Sequence, residues 1–210
     1  MSAVASPYGF KPVNLLGGLT YAGSTRNVPI ASGYGTNIYF GSLVAVNASG
    51  ALVIATSTGA DATTNGFPTG TSNTGIVGVF LGCSYTNPST KQRIWSQYWP
   101  TGTVAADAFG IVCDDDRAVF QVQAAGTVAA SALGKNFFLS AAQSTSTGNT
   151  TTGNSTTAVV AGASAVATTA AFRCVGFVDM VGFSSVGDAF TDILVKINPG
   201  YHAYSNAVTV

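Results

Sequence analysis

The sequence predicts an all-β protein: a compact antiparallel barrel or sandwich with long irregular loops rich in Ser, Thr and Gly and an extended N-terminal arm. Short apolar runs with strand composition recur about every ten residues, and Gly, Asn, Asp, Ser and Pro bound them. The apolar spacing of an amphipathic helix is almost absent. Because the runs are mostly joined by short turns, we expect hairpins rather than βαβ units.

The expected strands follow from composition and from the turns between them. Residues 47–50 (NASG), 87–89 (NPS) and 114–117 (DDDR) are turn signals, so the runs that flank each of them are predicted hairpin partners. Residues 76–85 form a long apolar run of the kind found in a central strand, and 92–99 alternate as a half-exposed strand does. The predicted strands are 37–40, 43–46, 51–55, 76–85, 92–99, 109–113, 119–123, 137–140, 173–180 and 192–198.

One β-rich domain is predicted over residues 36–200. An extended N-terminal arm and lead-in, residues 1–35, precedes it, and a C-terminal tail, residues 201–210, follows it. Two stretches of low complexity, 56–75 and 143–157, are rich in Thr, Ser, Gly and Asn and are expected to form flexible loops. The alternative is an ordered excursion whose hydroxyl groups pack on a neighbouring subunit.

The N-terminal arm is predicted to lie on another protein chain. Tyr8, Phe10 and Val13 supply apolar surface, and Pro7 and Pro12 oppose regular secondary structure around them. An extended arm would leave these side chains in water, which is unfavourable. We therefore expect the arm to lie across a neighbouring subunit or another surface of the assembly to which the chain belongs, with Phe10 in a pocket.

The surface is expected to be poor in charge. Lys and Arg together number 8, Asp and Glu together number 8, no Glu is present, and the formal net charge is zero. Charged residues make up 8% of the chain, against about 25% in ordinary soluble domains. A charge-poor surface near neutrality favours association, so copies of the chain or a partner are expected to cover much of it.

Composition also argues against several classes of function. No basic run provides the footprint of a nucleic-acid-binding protein. No apolar stretch reaches the roughly 20 residues of a membrane span, and the N-terminus lacks the features of a signal peptide. Cys83, Cys113 and Cys174 match no zinc spacing and lie in apolar runs. They are expected to be buried free thiols of a chain made in a reducing cytoplasm, with a disulfide as the alternative.

No catalytic, cofactor or metal site is predicted, and the chain is not expected to be an enzyme. The only histidine, His202, is expected at the surface or an interface, and no nucleophile elbow, P-loop or dinucleotide fingerprint occurs. Residues 114–116 (DDD) offer carboxylates that could hold Ca²⁺, but a solvated or Arg-paired turn is the preferred interpretation. Asp179, Asp188 and Asp192 are expected to serve turns or caps. A hydrolase with a degenerate site remains an alternative.

An aromatic segment, residues 95–100 (WSQYWP), contains both tryptophans of the chain. Trp95, Tyr98 and Trp99 are candidates for a subunit interface, because Trp and Tyr carry much of the binding energy at interfaces. A position in the core is the structural alternative for these rings, and a platform for a carbohydrate or peptide is the alternative function.

Several segments together resemble small structural proteins of tailed bacteriophages, of the capsid cement or decoration type. The resemblance covers most of the chain, contains no catalytic signature, and is not seen in the Thr/Ser/Gly-rich stretches that start at residues 56 and 143. The matching segments are 5–13 (ASPYGFKPV), 30–41 (IASGYGTNIYFG), 77–86 (VGVFLGCSYT), 120–124 (FQVQA) and 187–198 (GDAFTDILVKIN).

The resemblance implies a virion component on the capsid exterior, synthesised in the host bacterial cytoplasm. Such a protein would bind the phage major capsid protein and cement neighbouring capsid subunits, without active-site residues. Its other expected partner is itself, as a homotrimer or alternatively a homodimer. The competing hypothesis is a tail or fibre component that binds a host glycan or receptor through the aromatic segment.

Overall fold

Two antiparallel sheets contain all the strands of the described residues, which confirms the all-β prediction. The computed structural model describes residues 4–56, 75–141, 143, 147–161, 170–179 and 184–205. A short 3₁₀ helix at Ala130–Ala132 lies between β9 and β10. The strands are β1 Lys11–Leu15, β2 Leu19–Thr20, β3 Arg26–Pro29, β4 Leu43–Val46, β5 Leu52–Ile54, β6 Gly78–Thr86, β7 Arg93–Ser96, β8 Phe109–Cys113, β9 Ala118–Gln123, β10 Asn136–Phe137, β11 Phe172–Phe177 and β12 Asp192–Ile197.

The first sheet, sheet A, has the strand order β10-β11-β12-β9-β1-β2. The second, sheet B, has the order β3-β8-β6-β4-β5, and β7 pairs with the far half of β6 beyond the end of β4. Two predicted hairpins are present, β4–β5 and β6–β7. In the first turn the Asn47 side-chain oxygen accepts the backbone N–H groups of Ser49 and Ala51, which is how asparagine favours a tight turn.

The two sheets pack face to face as a sandwich. The interior between them is filled by apolar side chains from both sheets, among them Leu43 and Val79 of sheet B and Val122, Phe172 and Val195 of sheet A. Sheets pack in this way because each must remove one apolar face from water. The sandwich alternative of the predicted fold class is therefore the one that the chain adopts.

A second apolar layer covers the other face of sheet B. Loop residues Ile38, Trp99 and Ala105 pack there against Phe80 and Val112, which point away from the sandwich interior. The central strand of sheet B, β6, is thus covered on both faces along most of its length, as the apolar run at 76–85 predicted.

The N-terminal segment belongs to the domain and is not the arm that we predicted for residues 1–35. Residues 11–15 form β1, which pairs with β9, and 26–29 form β3 on the edge of sheet B. Phe10 is 0% exposed. Its ring stacks on Phe172 with centroids 4.8 Å apart and meets Phe120 edge-on at 6.4 Å. The expectation that Phe10 fills a pocket on another subunit is therefore wrong.

Proline did not prevent strand formation in this segment because of where it lies. Pro12 is opposite Phe120 of β9, and on its other side β2 pairs only with Asn14 and Leu15. A proline without an N–H is tolerated at such an unpaired edge and next to a bulge, and the register does shift between Pro12 and Asn14.

A close crossing of two glycines ties the N-terminal segment to sheet B. Gly9 has φ +77°, and a Cβ on it would lie 2.7 Å from the Gly41 carbonyl oxygen. Gly41 has φ +83°, accepts the Phe10 N–H at 2.9 Å and donates its own N–H to the Phe80 carbonyl. Both positions need glycine for conformation and for space. The crossing fixes the chain that places Phe10 between the sheets.

Two further predictions need correction. Residues 37–40 form isolated bridges at Ile38 and Phe40 instead of a strand, because they belong to the layer that covers sheet B. The turn at 114–117 does not join a hairpin, since β8 lies in sheet B and β9 in sheet A. The buried side chains of Cys113 and Ala118 on either side of this turn both enter the sandwich interior.

The expected C-terminal tail is part of the fold over the described residues. The Ile76 N–H donates to the Tyr201 carbonyl, and Ala203 donates to the Ile76 carbonyl. Residues 201–205 therefore pack against the chain leading into β6. Residues 206–210 lie outside the described residues.

Each of the two stretches of low complexity is described only in part. Residues 57–74 of the first lie outside the described residues. In the second, the buried Gln143 amide donates to the carbonyls of Leu43 and Ala55, and Ser155 and Thr157 are also buried. The described part of 143–157 thus packs on its own domain and not as the predicted flexible loop. Among the described residues, no helical element has the length and apolar character needed to cross a membrane.

The placement of Phe10 predicts a large stability difference between two neighbouring substitutions. Phe10→Ala should lower the free energy of unfolding by about 3–5 kcal/mol, because it leaves a cavity beside the rings of Phe120 and Phe172. Val13→Ala, at a side chain 36% exposed, should cost well under half as much. Urea unfolding of both variants measures this. Equal and small effects would mean that the N-terminal segment is not packed as described.

Candidate functional site

The aromatic segment splits into an exposed and a buried part. Trp95 is 67% exposed, whereas Trp99 is 0% exposed. The Trp99 ring meets Tyr85 edge-on at 5.4 Å, and its indole N–H donates to the Tyr34 carbonyl. Trp99 is therefore a core residue and not the interface residue that we predicted.

Tyr98 is half-buried and its ring stacks on Tyr39 with centroids 5.6 Å apart. Its backbone carbonyl accepts the Ser96 hydroxyl at 2.6 Å and lies 3.4 Å from the Cys83 sulfur. These contacts fix the bend that follows β7. Of the three aromatic candidates, Trp95 alone presents most of its ring to solvent.

A groove with a volume of about 510 Å³ lies beside Trp95. The pairings of Ser84 with both Trp95 and Phe109 place these three residues on one face of sheet B. The groove is lined by Phe40, Leu81, Gly82, Cys83, Trp95, Ser96, Gln97 and Ile111.

The groove continues the face of sheet B that forms the sandwich interior. Ile111 lies in the groove, and Cys113, two residues further along β8 and hence on the same face, lies in the interior core. Leu81 packs against the interior core and also lines the groove. This face thus passes from a covered core to an open apolar surface.

Charged side chains hold the rim of the groove. Arg93 lies over the Phe109 ring at 5.1 Å, its Nε donates to the Ser84 hydroxyl, and its Nη1 pairs with Asp107 at 2.7 Å. The Thr86 hydroxyl also donates to Asp107 at 2.6 Å, and this bond lowers the pKa of the carboxyl. The Trp95 ring meets Phe109 edge-on at 5.9 Å, so the rim orients the exposed ring.

Tyr8 and Val13, the other two N-terminal candidates, have different environments. Val13 lies on β1 with about a third of its side chain exposed and remains available to a partner. Tyr8 is half-buried next to Asp192, and Lys11 Nζ lies 5.2 Å from its ring centre. Burial raises the pKa of the Tyr8 hydroxyl, and the charge of Asp192 raises it further.

Asp192 is a buried carboxylate at the start of a strand, where the sequence suggested a turn or cap residue. It is the first residue of β12, and its backbone N–H donates to the Ser184 hydroxyl at 2.9 Å. One of its carboxylate oxygens accepts from the Gln121 side chain at 3.4 Å. Burial raises its pKa, while interactions with Tyr8 and Gln121 and the charge of Lys11 act in the opposite direction.

His202 is also buried within its own chain, at 1% exposure, where a surface or interface position was expected. Its Nδ1 accepts the Tyr204 N–H at 3.3 Å, and its ring tilts against the Tyr204 ring. Burial lowers the pKa of the imidazole, which the carboxylates of residues 114–116 oppose. Residues 201–205 bring the histidine inside because they pack beside Ile76.

The three consecutive aspartates form a turn whose arginine partner is Arg26. Arg26 Nε lies 2.7 Å from Asp114, the Asp115 carboxylate accepts the Arg117 N–H, and Asp116 accepts the Ser205 hydroxyl. Within the described ranges, no group of three or more His, Cys, Asp or Glu side chains is placed to hold a metal ion.

The three cysteines are buried and free, as predicted. Burial raises the pKa of Cys83 to about 12 and also raises those of Cys113 and Cys174. Their thiols are therefore protonated at neutral pH and pack as small apolar side chains.

Sequence reasoning found Trp95 but missed the surface around it. The sequence predicts a strand that contains Phe109 and Ile111. Its pattern does not indicate that the face carrying these two residues is covered by the core at one end of the strand and open to solvent at the other. That property depends on where sheet A ends relative to sheet B, which is a long-range feature. Comparison of the chain with protein-family models, curated proteins and solved structures found no match.

The buried carboxylate predicts a defined pH dependence. The folded-state pKa of Asp192 is raised above its ordinary value of 3.8, so the unfolded chain loses this proton first as the pH rises. Wild-type stability therefore falls between pH 3.8 and the folded-state pKa relative to Asp192→Asn, which has no such proton. Urea unfolding at pH 3.5 and pH 7 should show that the free energy of unfolding of the variant, relative to that of the wild type, is higher at pH 7 than at pH 3.5.

Asp107→Asn is the matched control for this measurement. The pKa of Asp107 is lowered in the folded state, so its ionised form contributes stability that is present at neutral pH and is lost as the pH falls. The free energy of unfolding of the wild type, relative to that of this variant, should therefore increase between pH 3.5 and pH 7. If both variants shifted in the same direction, the assignment of Asp192 as a destabilised carboxylate would be wrong.

Proposed function

We propose that this chain is a virion structural protein of a tailed bacteriophage that binds the outside of the capsid and cements neighbouring major capsid protein subunits. The observation that carries the proposal is the apolar groove beside Trp95, which continues the interior face of sheet B on a chain with a charge-poor surface. The resemblance of several segments to capsid cement and decoration proteins supplies the location.

The low charge content of the chain favours contact with another protein over contact with a highly charged partner. The chain has 8% charged residues, and both ion pairs found among the described residues, Arg26–Asp114 and Arg93–Asp107, are internal. Interfaces are depleted in charge at their centres and enriched in aromatic residues. Trp95 beside Leu81 and Ile111 has this composition, with Arg93 and Asp107 at the rim.

The mechanism would be mechanical. Each copy bridges capsid subunits, and many weak contacts act together once the lattice fixes their positions. We also propose that the chain associates with itself as a homotrimer, with a homodimer as the alternative. The glycan-binding alternative loses support, because it needs a platform of neighbouring rings and Trp99 is in the core.

Binding to isolated shells tests this function. Trp95→Ala should weaken co-sedimentation with shells that lack the chain by about 30-fold, the loss expected when a central aromatic anchor is removed. Its melting temperature should stay close to that of the wild type, because the ring is mostly exposed. Light scattering before shells are added gives the oligomeric state of each sample.

Leu133→Ala is the matched control, since Leu133 is also a large exposed apolar side chain but lies after the 3₁₀ helix, away from the groove. It should change shell binding less than threefold, on the scale of a neutral contact. A wild-type chain that does not bind shells, or equal losses in the two variants, would reject the proposed contact.

A further inference from the structure

A second surface pocket, on sheet A, carries an unusual arrangement of positive charge. The pairings of Arg173 with Asn136 and with Lys196 place these residues side by side on three adjacent strands. Side chains of directly paired residues project from the same face, with Cβ atoms about 5 Å apart. Arg173 and Lys196 are two of only 8 cations in the chain.

This pairing of like charges is destabilising in the absence of a counter-ion. The described aspartates supply none, because each has its recorded partners elsewhere. Asp107 pairs with Arg93 and Asp114 with Arg26, while the others bond to Arg117, Ser205, Ser185 and Gln121. The remaining aspartate, Asp61, lies outside the described residues.

The pocket around the two cations is shaped and partly preorganised. It has a volume of about 350 Å³ and is lined by Asn136, Arg173, Lys196, Asn198, Pro199, Gly200 and Tyr201. That volume is at the small end of the range for small-molecule sites. The pocket therefore suits a compact ligand.

Hydrogen bonds fix the polar side chains of the pocket. Arg173 Nε donates to the Asn136 side-chain oxygen at 3.2 Å, and that oxygen also accepts from the Asn198 amide. Asn198 is held in turn by the Ala170 carbonyl at 2.7 Å. Since Nε is used, the Nη1–Nη2 edge of Arg173 is the part of the guanidinium that is left to bind a ligand, and it has no acceptor among the described residues.

We propose that this pocket binds a small oxyanion, a carboxylate or a phosphate, between Arg173 and Lys196. The planar edge of a guanidinium donates two parallel hydrogen bonds to such a group, and an adjacent ammonium adds a third donor and a second charge. Bound anion would also remove the repulsion between the two cations, so binding should stabilise the fold. This site is independent of the proposed role on capsids.

Thermal unfolding at constant ionic strength tests the proposal on the full chain. Sodium phosphate and sodium succinate, each compared with sodium chloride, should raise the melting temperature of the wild type in a saturable way. The salt that gives the larger rise in melting temperature identifies phosphate or carboxylate as the preferred group. Titration calorimetry with the same two salts gives the dissociation constants.

Arg173→Gln and Lys196→Gln should each weaken binding at least tenfold, and both should fold, because each removes a like-charge contact. Arg173→Lys keeps the charge without the planar edge and should also bind more weakly. Lys91→Gln removes an exposed lysine from the turn between β6 and β7, outside the pocket, and should bind as the wild type does. No saturable rise in the wild type, or an equal rise in Arg173→Gln, would overturn the proposal.

Discussion

The packing of Phe10 between the two sheets is the contact on which most of the architecture depends. The ring lies against Phe172 of β11 and Phe120 of β9, while its backbone N–H bonds to Gly41, which is bonded to β6. One residue thus joins strands of sheet A to the central strand of sheet B. A chain with so few charges has little but apolar packing and backbone hydrogen bonds to hold two sheets together. The N-terminal segment can approach sheet B this closely because both crossing residues, Gly9 and Gly41, are glycines.

The sequence was sufficient for what depends on local pattern. The strand class, the central position of β6 and the turn at Asn47 follow from composition, period and turn chemistry, and each is present. What could not be predicted depends on contacts between distant residues. Pro12 alone indicates an irregular arm, because its tolerance in a strand edge next to a bulge depends on where β2 stops pairing. The burial of His202 and Trp99 could not be predicted either, because no local signal indicates that residues 201–205 pack beside Ile76 or that the loop containing Trp99 covers sheet B.

The two candidate surfaces also depend on the register between strands, which brings their residues together. Trp95 was recognisable as a large aromatic residue in an alternating strand, but its value as an anchor comes from Ile111 and Leu81, which only the register of β6, β7 and β8 brings beside it. The oxyanion pocket likewise depends on the register between β11 and β12, since Arg173 and Lys196 are far apart in the chain. The apolar groove and the paired cationic pocket each have a clear chemical preference, and they lie on different sheets.

Hydrogen–deuterium exchange on the free chain and on shell-bound chain tests most directly the claim that the N-terminal segment belongs to the fold and that the surface near β7 makes the contact. We expect the amides of Lys11 and of residues 13–15 to be protected equally in both states, whereas amides of residues 93–96 should exchange more slowly only on shells. Fast exchange at residues 11–15 in the free chain, with protection gained only on shells, would contradict it. That result would restore an N-terminal arm that orders on its partner.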